Sequence, residues 1–582
     1  MELIALRIDG HDAQVPPGTT VLEAAQALDI AIPTLCWLPE VKASGFCRIC
    51  VVEVEGYPNL LPACGLPVQD GMVVNTQTRK VIESRRMSVE LLVAQHPLRC
   101  LTCYRNGKCT LQQLAARYGI QQARFFRREA AGNGAETLAV VDDRSPAIVH
   151  DPSLCILCGL CIEACRTTQA VDVIDFAYRG MKRTVQPAFG QSLHEVECTA
   201  CGQCIQVCPV NAFYEKNDAG RVQQALQDPA FHVVGILAPL VGIAIGEEFG
   251  QAAEPLHGQL VAVLKTLGFD AVFDAGVGAD VFLLEESYEF LTRMKGGAQL
   301  PMLSSASPAW VKYSEHFYPE KLPLLSSCKS PVQSLAALVK TYYAKQAALS
   351  PEQIFTVSLT PCTAEKFERT RPETMVEGYP AVDACLTTKE LASLLKSVTG
   401  DLLLTVAPQP FDPPFDSASG AGDLFGAAGG LLEGMLRTFS ELLTGKKLPA
   451  LEFEQVRHPA GFQEIPIKIG NQTILTAVVH GTGNVARLME NIDAGKKAYH
   501  YVEIKGCPHG CARGGGEPLP CTPETLEARV RALYDLDAAK KERQAHKNQL
   551  IKDLYEKFLK KPAAALPQKL LHTKFMQRQR YL

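Results

Sequence analysis

The sequence predicts a multidomain α/β protein in which small cysteine-rich domains precede a larger C-terminal domain. Three observations support this prediction. The 582 residues exceed what one hydrophobic core usually organises. Fifteen of the 21 cysteines lie before residue 210, in regularly spaced groups. From about residue 226 onward, apolar strand-like runs alternate with helical stretches, which is typical of parallel sheets.

The composition indicates a soluble globular protein, which we expect in the cytoplasm. The chain is 47% hydrophobic and 21% charged, and its net charge of −4 gives no reason to expect nucleic acid as a partner. The start of the sequence lacks the pattern of a signal peptide, and the longest apolar run, 233–245, is too short to span a membrane. In a reducing compartment, clustered cysteines more often bind metal than form disulfides.

The first domain, predicted at 1–80, has the pattern of a β-hairpin followed by a helix, a β-grasp-like arrangement. It carries four cysteines, which suit one [2Fe–2S] cluster. The loop GFCRIC contains glycine and can direct backbone amides at sulfur. A structural zinc site is the alternative. The four expected ligands are Cys36, Cys47, Cys50 and Cys64.

The second domain, predicted at 81–140, is helical and carries one histidine among three cysteines. We expect its first helix near 84–96 and its second near 111–119. One imidazole and three thiolates can hold either zinc or a [4Fe–4S] cluster, and the spacing alone does not separate these two. The four expected ligands are His96, Cys100, Cys103 and Cys109.

The third domain, predicted at 141–225, contains a short duplication in which each copy carries four cysteines. The spacing is that of a ferredoxin with two [4Fe–4S] clusters, where the fourth cysteine of each copy binds the other cluster. Arg166 stands where such a run more often has proline. One expected set is Cys155, Cys158, Cys161 and Cys208. The other expected set is Cys198, Cys201, Cys204 and Cys165.

Residues 226–582 carry several uncommon motifs in the order found in iron-only ([FeFe]) hydrogenases, which this part of the chain resembles. The resemblance implies an α/β iron-hydrogenase-like domain at 226–530 and a helical tail at 531–582 similar to that family's small subunit. The N-terminal domains resemble those shared by hydrogenases and respiratory complex I, which favours a [4Fe–4S] cluster at the histidine site. The motifs are LAPLVGIAIGEEFG, VFLLEESYEFLTR, LLSSCKSP, TPCTAEKFE, DACLTTKEL, SASGAGDLFGAAGG, CPHGCARGGGEP and LLHTKF.

The resemblance also implies where a hydrogen-activating cofactor would sit, and this chain departs from the family there. In that family four cysteines hold a [4Fe–4S] cube bridged to a diiron unit. Cys362, Cys507 and the bridging Cys511 are present. The fourth ligand is replaced by Ser307, and the proton-relaying cysteine is replaced by Ala306. A serine oxygen is a poorer ligand for such a cube, and alanine cannot relay a proton.

Three further departures surround the same position, where the resemblance implies lysine, methionine and methionine. These positions carry Glu365, Lys505 and Thr360. A carboxylate at residue 365 would repel an anionic cyanide-bearing cofactor. We expect Glu365 and Lys505 to form an ion pair, because burying either charge alone is costly.

The family's proton path is otherwise retained. The resemblance identifies it with Glu286, Glu289 and Ser326, followed by Arg293 near the surface. A buried polar network kept for packing is the alternative for these residues. Cys328 and Cys385 are expected to be core thiols. The stretch Gly481-x-Gly483-x-x-Ala486 has the form of a dinucleotide-binding turn, but it also resembles a hydrogenase segment.

These patterns predict one [2Fe–2S] and three [4Fe–4S] clusters, with a further cube at Cys362, Cys507 and Cys511 as an open alternative and no diiron unit. The resemblance implies an electron-transfer subunit of an NAD(H)- and ferredoxin-linked, electron-bifurcating complex without hydrogen chemistry. The implied partners are an NADH-linked FMN flavoprotein, a thioredoxin-like [2Fe–2S] subunit, ferredoxin and a formate dehydrogenase. The alternative is an active or sensory hydrogenase with an atypical site.

Overall fold

The computed structural model describes residues 3–41, 45–125, 140–297 and 299–579. Within these ranges, no helix is both long enough and apolar enough to cross a bilayer. The part of the second domain at 126–139 lies outside the described residues.

The first domain is a five-stranded sheet covered by one helix, which confirms the β-grasp prediction. Its strand order is β2-β1-β5-β3-β4, with β1 and β5 parallel at the centre. Helix α1 begins with a capping box in which Thr20 and Glu23 exchange hydrogen bonds. The elements are β1 Ile4–Ile8, β2 His11–Val15, α1 Val21–Ala27, β3 Val51–Val54, β4 Leu61–Pro62 and β5 Met72–Asn75.

The second domain consists of two helices, as predicted. Helix α2 spans Arg79–Gln95 and helix α3 spans Thr110–Arg117. His96 ends the first helix and Cys109 precedes the second. The two helices pack on each other, so the histidine and cysteine segment between them is held at both ends.

The third domain shows its duplication in backbone conformation as well as in sequence. Leu157 and Ala200 occupy equivalent positions and both have a left-handed φ, of 55° and 59°. The glycine that precedes each cysteine-bearing helix, Gly159 or Gly202, is also left-handed. The elements are β6 Ile148–His150, α4 Leu160–Glu163, β7 Asp175–Ala177, β8 Thr184–Gln186, α5 Gln203–Val207 and β9 Phe213–Glu215.

The large domain contains two four-stranded sheets. The first is entirely parallel in the order β11-β10-β13-β14, as the alternating pattern predicted. The second has the order β12-β17-β16-β15 and includes one antiparallel pair, β15 with β16, so the expectation of parallel sheets is wrong there. The two residues Gly470 and Asn471 connect this pair, and so short a turn can join only antiparallel strands.

The strands and helices of this domain follow in chain order. The strands are β10 His232–Leu237, β11 Ala271–Asp274, β12 Met302–Leu303, β13 Ile354–Thr360, β14 Ala384–Thr387, β15 Phe462–Ile469, β16 Gln472–His480 and β17 Tyr501–Lys505. The helices are α6 Ala219–Gln227, α7 Pro239–Ala244, α8 His257–Leu267, α9 Ala275–Thr292, α10 Pro308–Phe317, α11 Pro331–Leu338, α12 Ala344–Gln346, α13 Ala364–Glu368, α14 Thr388–Thr399, α15 Gly420–Asp423, α16 Gly430–Thr444 and α17 Val485–Asp493.

The C-terminal tail is helical, as predicted, but it starts earlier than expected. Its helices are α18 Pro523–Ala539, α19 Gln549–Leu554 and α20 Ala565–Leu571. The predicted boundaries after residues 80, 225 and 530 fall inside α2, α6 and α18 respectively. The apolar pattern of each helix continues past the predicted domain boundary. A change in residue composition along the sequence therefore does not mark the end of a helix here.

The third domain packs closely against the large domain. Thr363 Oγ1 donates a hydrogen bond to the Ala200 carbonyl at 2.8 Å, and Gln206 Nε2 donates to the Gly514 carbonyl at 2.6 Å. A Cβ atom placed on Gly202 would lie only 2.7 Å from the Cα of Gly515. The backbones of the two domains therefore approach at a distance that only glycine permits.

The close backbone approach predicts that Gly202→Ala destabilises the docking of the two domains. Gly71 is the matched control, because its φ of 74° resembles the 71° of Gly202 and no atom lies within 4 Å of its added Cβ. Alanine should cost about 1–2 kcal/mol at either position for the left-handed backbone. At residue 202 overpacking should add about 1–3 kcal/mol. Thermal unfolding and limited proteolysis of the two variants measure the difference, and equal melting temperatures would contradict this packing.

Candidate functional site

The first predicted ligand set lies together in the β-grasp domain. The thiols of Cys36 and Cys47 are hydrogen-bonded, as are those of Cys50 and Cys64. Hydrogen bonds from the Cys47 thiol and from the backbone amides at 45–47 lower the pKa of Cys36 to about 6, against burial. The GFCRIC loop thus directs its amides at sulfur, an environment that favours a thiolate ligand.

The second predicted set includes a buried histidine with an unused nitrogen. His96 Nε2 is buried and has no hydrogen-bond partner among the described residues. Burial lowers the pKa of His96, which favours the neutral imidazole that metals bind. Cys103 and Cys109 lie near enough to interact electrostatically. An orphaned buried ring nitrogen fits a metal or cluster ligand.

The third predicted set lines a single cavity of about 280 Å³. Three of its cysteines come from the first copy of the duplication and one, Cys208, comes from the second, which is the crossed arrangement that the spacing predicts. The Leu157 amide donates to Cys155 Sγ at 3.4 Å, and the Ala212 amide donates to Cys208 Sγ at 3.2 Å. The four cysteines that line the cavity are Cys155, Cys158, Cys161 and Cys208.

The fourth predicted set is brought together in the same way from both copies. Cys165 interacts electrostatically with Cys198, Cys201 and Cys204. Burial raises the pKa of Cys165 to about 12 and that of Cys201 to about 11. Buried thiols of this kind ionise readily only when a cation such as iron binds them.

The hydrogenase-like domain contains a cavity of about 500 Å³, which we call the rear pocket. Loops that follow β13 and β17 and the N-terminus of α10 form its walls, so the cavity lies where strands of both sheets end. All the residues predicted for the degenerate cofactor site, except Thr360, line it. These residues are Ala306, Ser307, Cys362, Glu365, Lys505, Cys507 and Cys511.

Within the rear pocket, Ser307 is already engaged by the backbone. Its Oγ accepts a hydrogen bond from the Gly506 amide at 3.0 Å. Cys507 Sγ lies 3.7 Å from the carbonyl oxygen of Cys201, a member of the fourth set. The rear pocket and the fourth set are therefore direct neighbours.

The expected ion pair between Glu365 and Lys505 is wrong. Glu365 Oε2 accepts a hydrogen bond from Ser358 Oγ at 2.8 Å, and Lys505 Nζ donates to the Phe425 carbonyl at 2.5 Å. Among the described residues no ion pair within 4.0 Å joins the two side chains. Burial instead raises the pKa of Glu365 to about 7, so this carboxyl can lose its charge by binding a proton.

Three residues of the residual proton path, Arg293, Glu289 and Ser326, form a connected network. Arg293 Nη2 binds Glu289 Oε1 at 2.6 Å, and Ser326 Oγ donates to Glu289 Oε2 at 3.2 Å. The Tyr501 hydroxyl donates to Glu286 Oε2 at 2.7 Å. Tyr501 was missed in the sequence because its position in an apolar strand gave no sign of a polar contact.

Two further contacts were also missed. Ser327 Oγ donates to Glu289 Oε2 at 3.0 Å and lies 2.8 Å from Nδ1 of His572. His572 belongs to the LLHTKF motif, whose role the sequence did not indicate.

The glycine-rich stretch at 481–486 does not form an open phosphate-binding turn. Thr482 Oγ1 donates to the Gln169 carbonyl at 2.6 Å, and a Cβ on Gly483 would lie 2.6 Å from the Thr167 carbonyl oxygen. These glycines allow the loop to pack on the third domain, which accounts for them without a nucleotide.

Comparisons with protein families match each part of the chain. The C-terminal domain of the iron-only hydrogenase large subunit matches residues 231–515, and the iron hydrogenase small subunit matches 523–578. A 2Fe-2S cluster-binding domain matches 2–79, and a 4Fe-4S dicluster domain matches 134–212. The NADH-ubiquinone oxidoreductase-G iron–sulfur binding region matches 85–124.

Two individual proteins show the same similarity over nearly the whole chain, and a solved structure shows it over part of the chain. The NADP-reducing hydrogenase subunit HndD of Solidesulfovibrio fructosivorans is 41% identical over 593 residues, covering 100% of both chains. Iron hydrogenase 1 of Clostridium pasteurianum is 33% identical over 576 residues, covering 98% of this chain and 99% of that one. The structure of an apo [FeFe]-hydrogenase HydA1 variant from Chlamydomonas reinhardtii has a TM-score of 0.55 at 35% identity and covers 61% of this chain and 98% of its own.

The environment of Glu286 predicts a pH dependence of stability. Burial raises its pKa from 4.5 to about 7, so the folded chain retains a proton that the unfolded chain releases between these values. Stability should therefore decrease as the pH rises from about 5 to 7, by up to about 3 kcal/mol for this group. The Glu286→Gln variant should lose that part of the decrease, whereas substitution of the exposed Glu556 by Gln should not. Melting temperatures between pH 5.5 and 8 measure the effect, and parallel curves for all three proteins would contradict it.

Proposed function

We propose that this chain, which belongs to the iron-only hydrogenase large-subunit family, transfers electrons through iron–sulfur clusters within a hydrogenase-related complex and does not itself activate hydrogen. The observation that carries this proposal is the contrast between its two halves. The four N-terminal ligand sets are complete in the sequence and the third set lines one cavity, whereas the rear pocket lacks a fourth cysteine and the relay thiol.

We assign one [2Fe–2S] cluster to the first set and a [4Fe–4S] cluster to each of the other three. The unused His96 nitrogen supports the second assignment, and the cavity at Cys208 supports the crossed pairing of the third and fourth. Bound clusters would supply one-electron chemistry at each site. The protein's own contribution is to bury the cysteines and to direct amides at their sulfur atoms. The assigned ligands are Cys36, Cys47, Cys50 and Cys64; His96, Cys100, Cys103 and Cys109; Cys155, Cys158, Cys161 and Cys208; Cys198, Cys201, Cys204 and Cys165.

The rear pocket does not fit the diiron cofactor of the family. Ala306 offers no group that could deliver a proton. The Ser307 hydroxyl, which replaces the thiolate, is already hydrogen-bonded to the backbone. Glu365 brings a carboxyl group to the pocket wall, where its ionised form would repel an anionic ligand. A [4Fe–4S] cube held by Cys362, Cys507 and Cys511 remains compatible with this wall.

We propose that electrons enter and leave through partner proteins in the cytoplasm. The NADP-reducing function in the name of a full-length relative supports a nicotinamide-linked partner, and the match to an NADH-ubiquinone oxidoreductase region supports a flavoprotein–iron–sulfur assembly. We further propose three partners, which are an FMN flavoprotein, a thioredoxin-like [2Fe–2S] subunit and ferredoxin. The complex that they form with this chain would carry out electron bifurcation. Because hydrogen chemistry is lost, we assign the terminal step to a formate dehydrogenase.

The alternative is an active or sensory hydrogenase with an atypical site. It is favoured by one observation, the intact network from Arg293 through Glu289 to Ser326.

Metal and infrared analysis distinguishes these functions. After expression with the hydrogenase maturation proteins, we expect about 14 iron atoms per chain, or about 18 with a cube in the rear pocket. We expect no infrared bands from carbonyl or cyanide ligands, because the pocket cannot anchor or protonate a diiron unit. A variant with Ala306→Cys, Ser307→Cys, Glu365→Lys and Lys505→Met is the matched control for gain of these bands. Carbonyl bands in the unmodified chain would refute the proposal.

Electron donors offered to the native complex test the partners. We expect NADH and formate each to bleach the iron–sulfur absorption of the tagged complex, and we expect hydrogen gas to leave it unchanged. Dithionite defines complete reduction. Bleaching by hydrogen at a rate similar to that with NADH would favour the alternative, and an effect of NADH without formate would remove the formate dehydrogenase from the proposal.

A further inference from the structure

The C-terminal tail meets the large domain beside the residual proton path. The Lys329 amide donates to the Leu571 carbonyl at 2.7 Å, and the Thr573 amide donates to the Ser327 carbonyl at 2.8 Å. This short antiparallel pairing places His572 opposite Cys328. The backbone alone therefore positions the imidazole next to the thiol, across 244 residues of sequence.

Three potential metal ligands converge at this contact. Cys328 Sγ lies 3.9 Å from Nδ1 of His572 and 3.9 Å from Oε2 of Glu289. All three ligand atoms lie within 4.8 Å of one another. In a tetrahedral zinc site, bond lengths of about 2.3 Å to sulfur and 2.0–2.1 Å to nitrogen or oxygen separate such atoms by about 3.6 Å. The 3.9 Å from Cys328 Sγ to each partner needs only a small contraction to reach this geometry, and the imidazole and carboxylate ligand atoms lie within 4.8 Å of each other.

A carboxylate behind the imidazole completes the usual surroundings of a metal-bound histidine. Glu285 Oε2 lies 3.1 Å from His572 Nε2 and also accepts a hydrogen bond from the Ala563 amide at 2.9 Å. A proton on Nε2 facing this carboxylate leaves the lone pair on Nδ1 directed towards Cys328. Glu285 is 1% exposed, so the arrangement is shielded from water.

The remaining groups around the thiol leave one ligand position to a small donor. Arg293 engages Oε1 of Glu289. Oε2, the oxygen 3.9 Å from Cys328 Sγ, accepts hydrogen bonds from Ser326 Oγ and from the amide and hydroxyl of Ser327, and a bound metal would compete with these donors. Ser327 Oγ lies 2.8 Å from Nδ1 of His572 and 3.0 Å from Oε2 of Glu289. This hydroxyl lies between the two ligands. It is positioned either to bind as the fourth ligand or to be replaced by one.

The charge around Cys328 also favours a cation. The thiol is 1% exposed, and the carboxylates of Glu289, Glu286 and Glu285 all lie near enough to interact with it electrostatically. A divalent cation would offset this accumulation of negative charge and stabilise the thiolate.

We propose that Cys328, His572 and Glu289 bind a zinc ion that links the C-terminal tail to the large domain. The site is independent of the iron–sulfur clusters and of the rear pocket. Since Glu289 is the carboxylate between Ser326 and Arg293, bound zinc would also occupy the outer end of the residual proton path.

Zinc content and X-ray absorption of the full-length, cluster-loaded chain test this site. After zinc loading and dialysis, we expect about one zinc per chain, with about one sulfur neighbour at roughly 2.3 Å and nitrogen or oxygen in the other positions. The Cys328→Ala and Glu289→Gln variants should each lose at least five-fold in bound zinc while their iron and sulfide contents stay unchanged. Cys385→Ala is the matched control, because Cys385 is an equally buried thiol in another part of the core.

Three results would overturn the proposal. The first is a parent chain without zinc after loading, which would identify the contact as a hydrogen-bond network only. The second is equal zinc in the parent and in Cys328→Ala. The third is a shell of four sulfur atoms, which would place the zinc in an iron–sulfur site. Unchanged iron content in the variants separates loss of the ligand from loss of the fold.

Discussion

The N-terminal domains of this chain remove much of their cysteine sulfur from water. A cysteine removed from water holds its proton strongly, and a cluster ligand must release it. The chain meets this requirement with backbone geometry. Left-handed residues, Leu157 and Asn211, lie in the turns where the amides of Leu157 and Ala212 donate to sulfur. The crossed pairing of the two copies then brings the fourth set of cysteines beside the rear pocket, with Cys201 next to Cys507.

The rear pocket combines an ordered architecture with side chains that depart from the pattern implied by the family resemblance. Its loops follow strands of the two sheets, and glycines permit contact with the third domain. The departures on its wall are Ala306, Ser307, Glu365 and Lys505. Glu365 illustrates the physical outcome: the buried carboxyl has serine as its partner and an elevated pKa, and no cation is needed to accommodate it.

The sequence predicted those features that depend on local spacing and missed those that depend on distant contacts. Cysteine intervals predicted four candidate ligand sets, and the structure brings the third of them together around one cavity. Which clusters the sets bind stays a prediction. The predicted ion pair of Glu365 and Lys505 was wrong, because opposite charges do not determine where two side chains point. Each side chain hydrogen-bonds to a different partner instead. The contact of Cys328 with His572 was not foreseeable, because it depends on backbone pairing between segments 244 residues apart.

The tail contact changes how the retained carboxylates should be interpreted. Glu285 holds His572 and the Ala563 amide, while Glu289 holds Arg293 and the Ser327 segment. Each carboxylate therefore has a structural role that would persist if no proton ever moved through it. Replacing either would leave buried partners unsatisfied, at a cost of about 1–3 kcal/mol per group. Retention of this network is thus weak evidence for hydrogen chemistry. Ala306 and Ser307 in the rear pocket are stronger evidence against it. At these two positions the family resemblance implies cysteines that relay a proton and hold the hydrogen-activating cofactor.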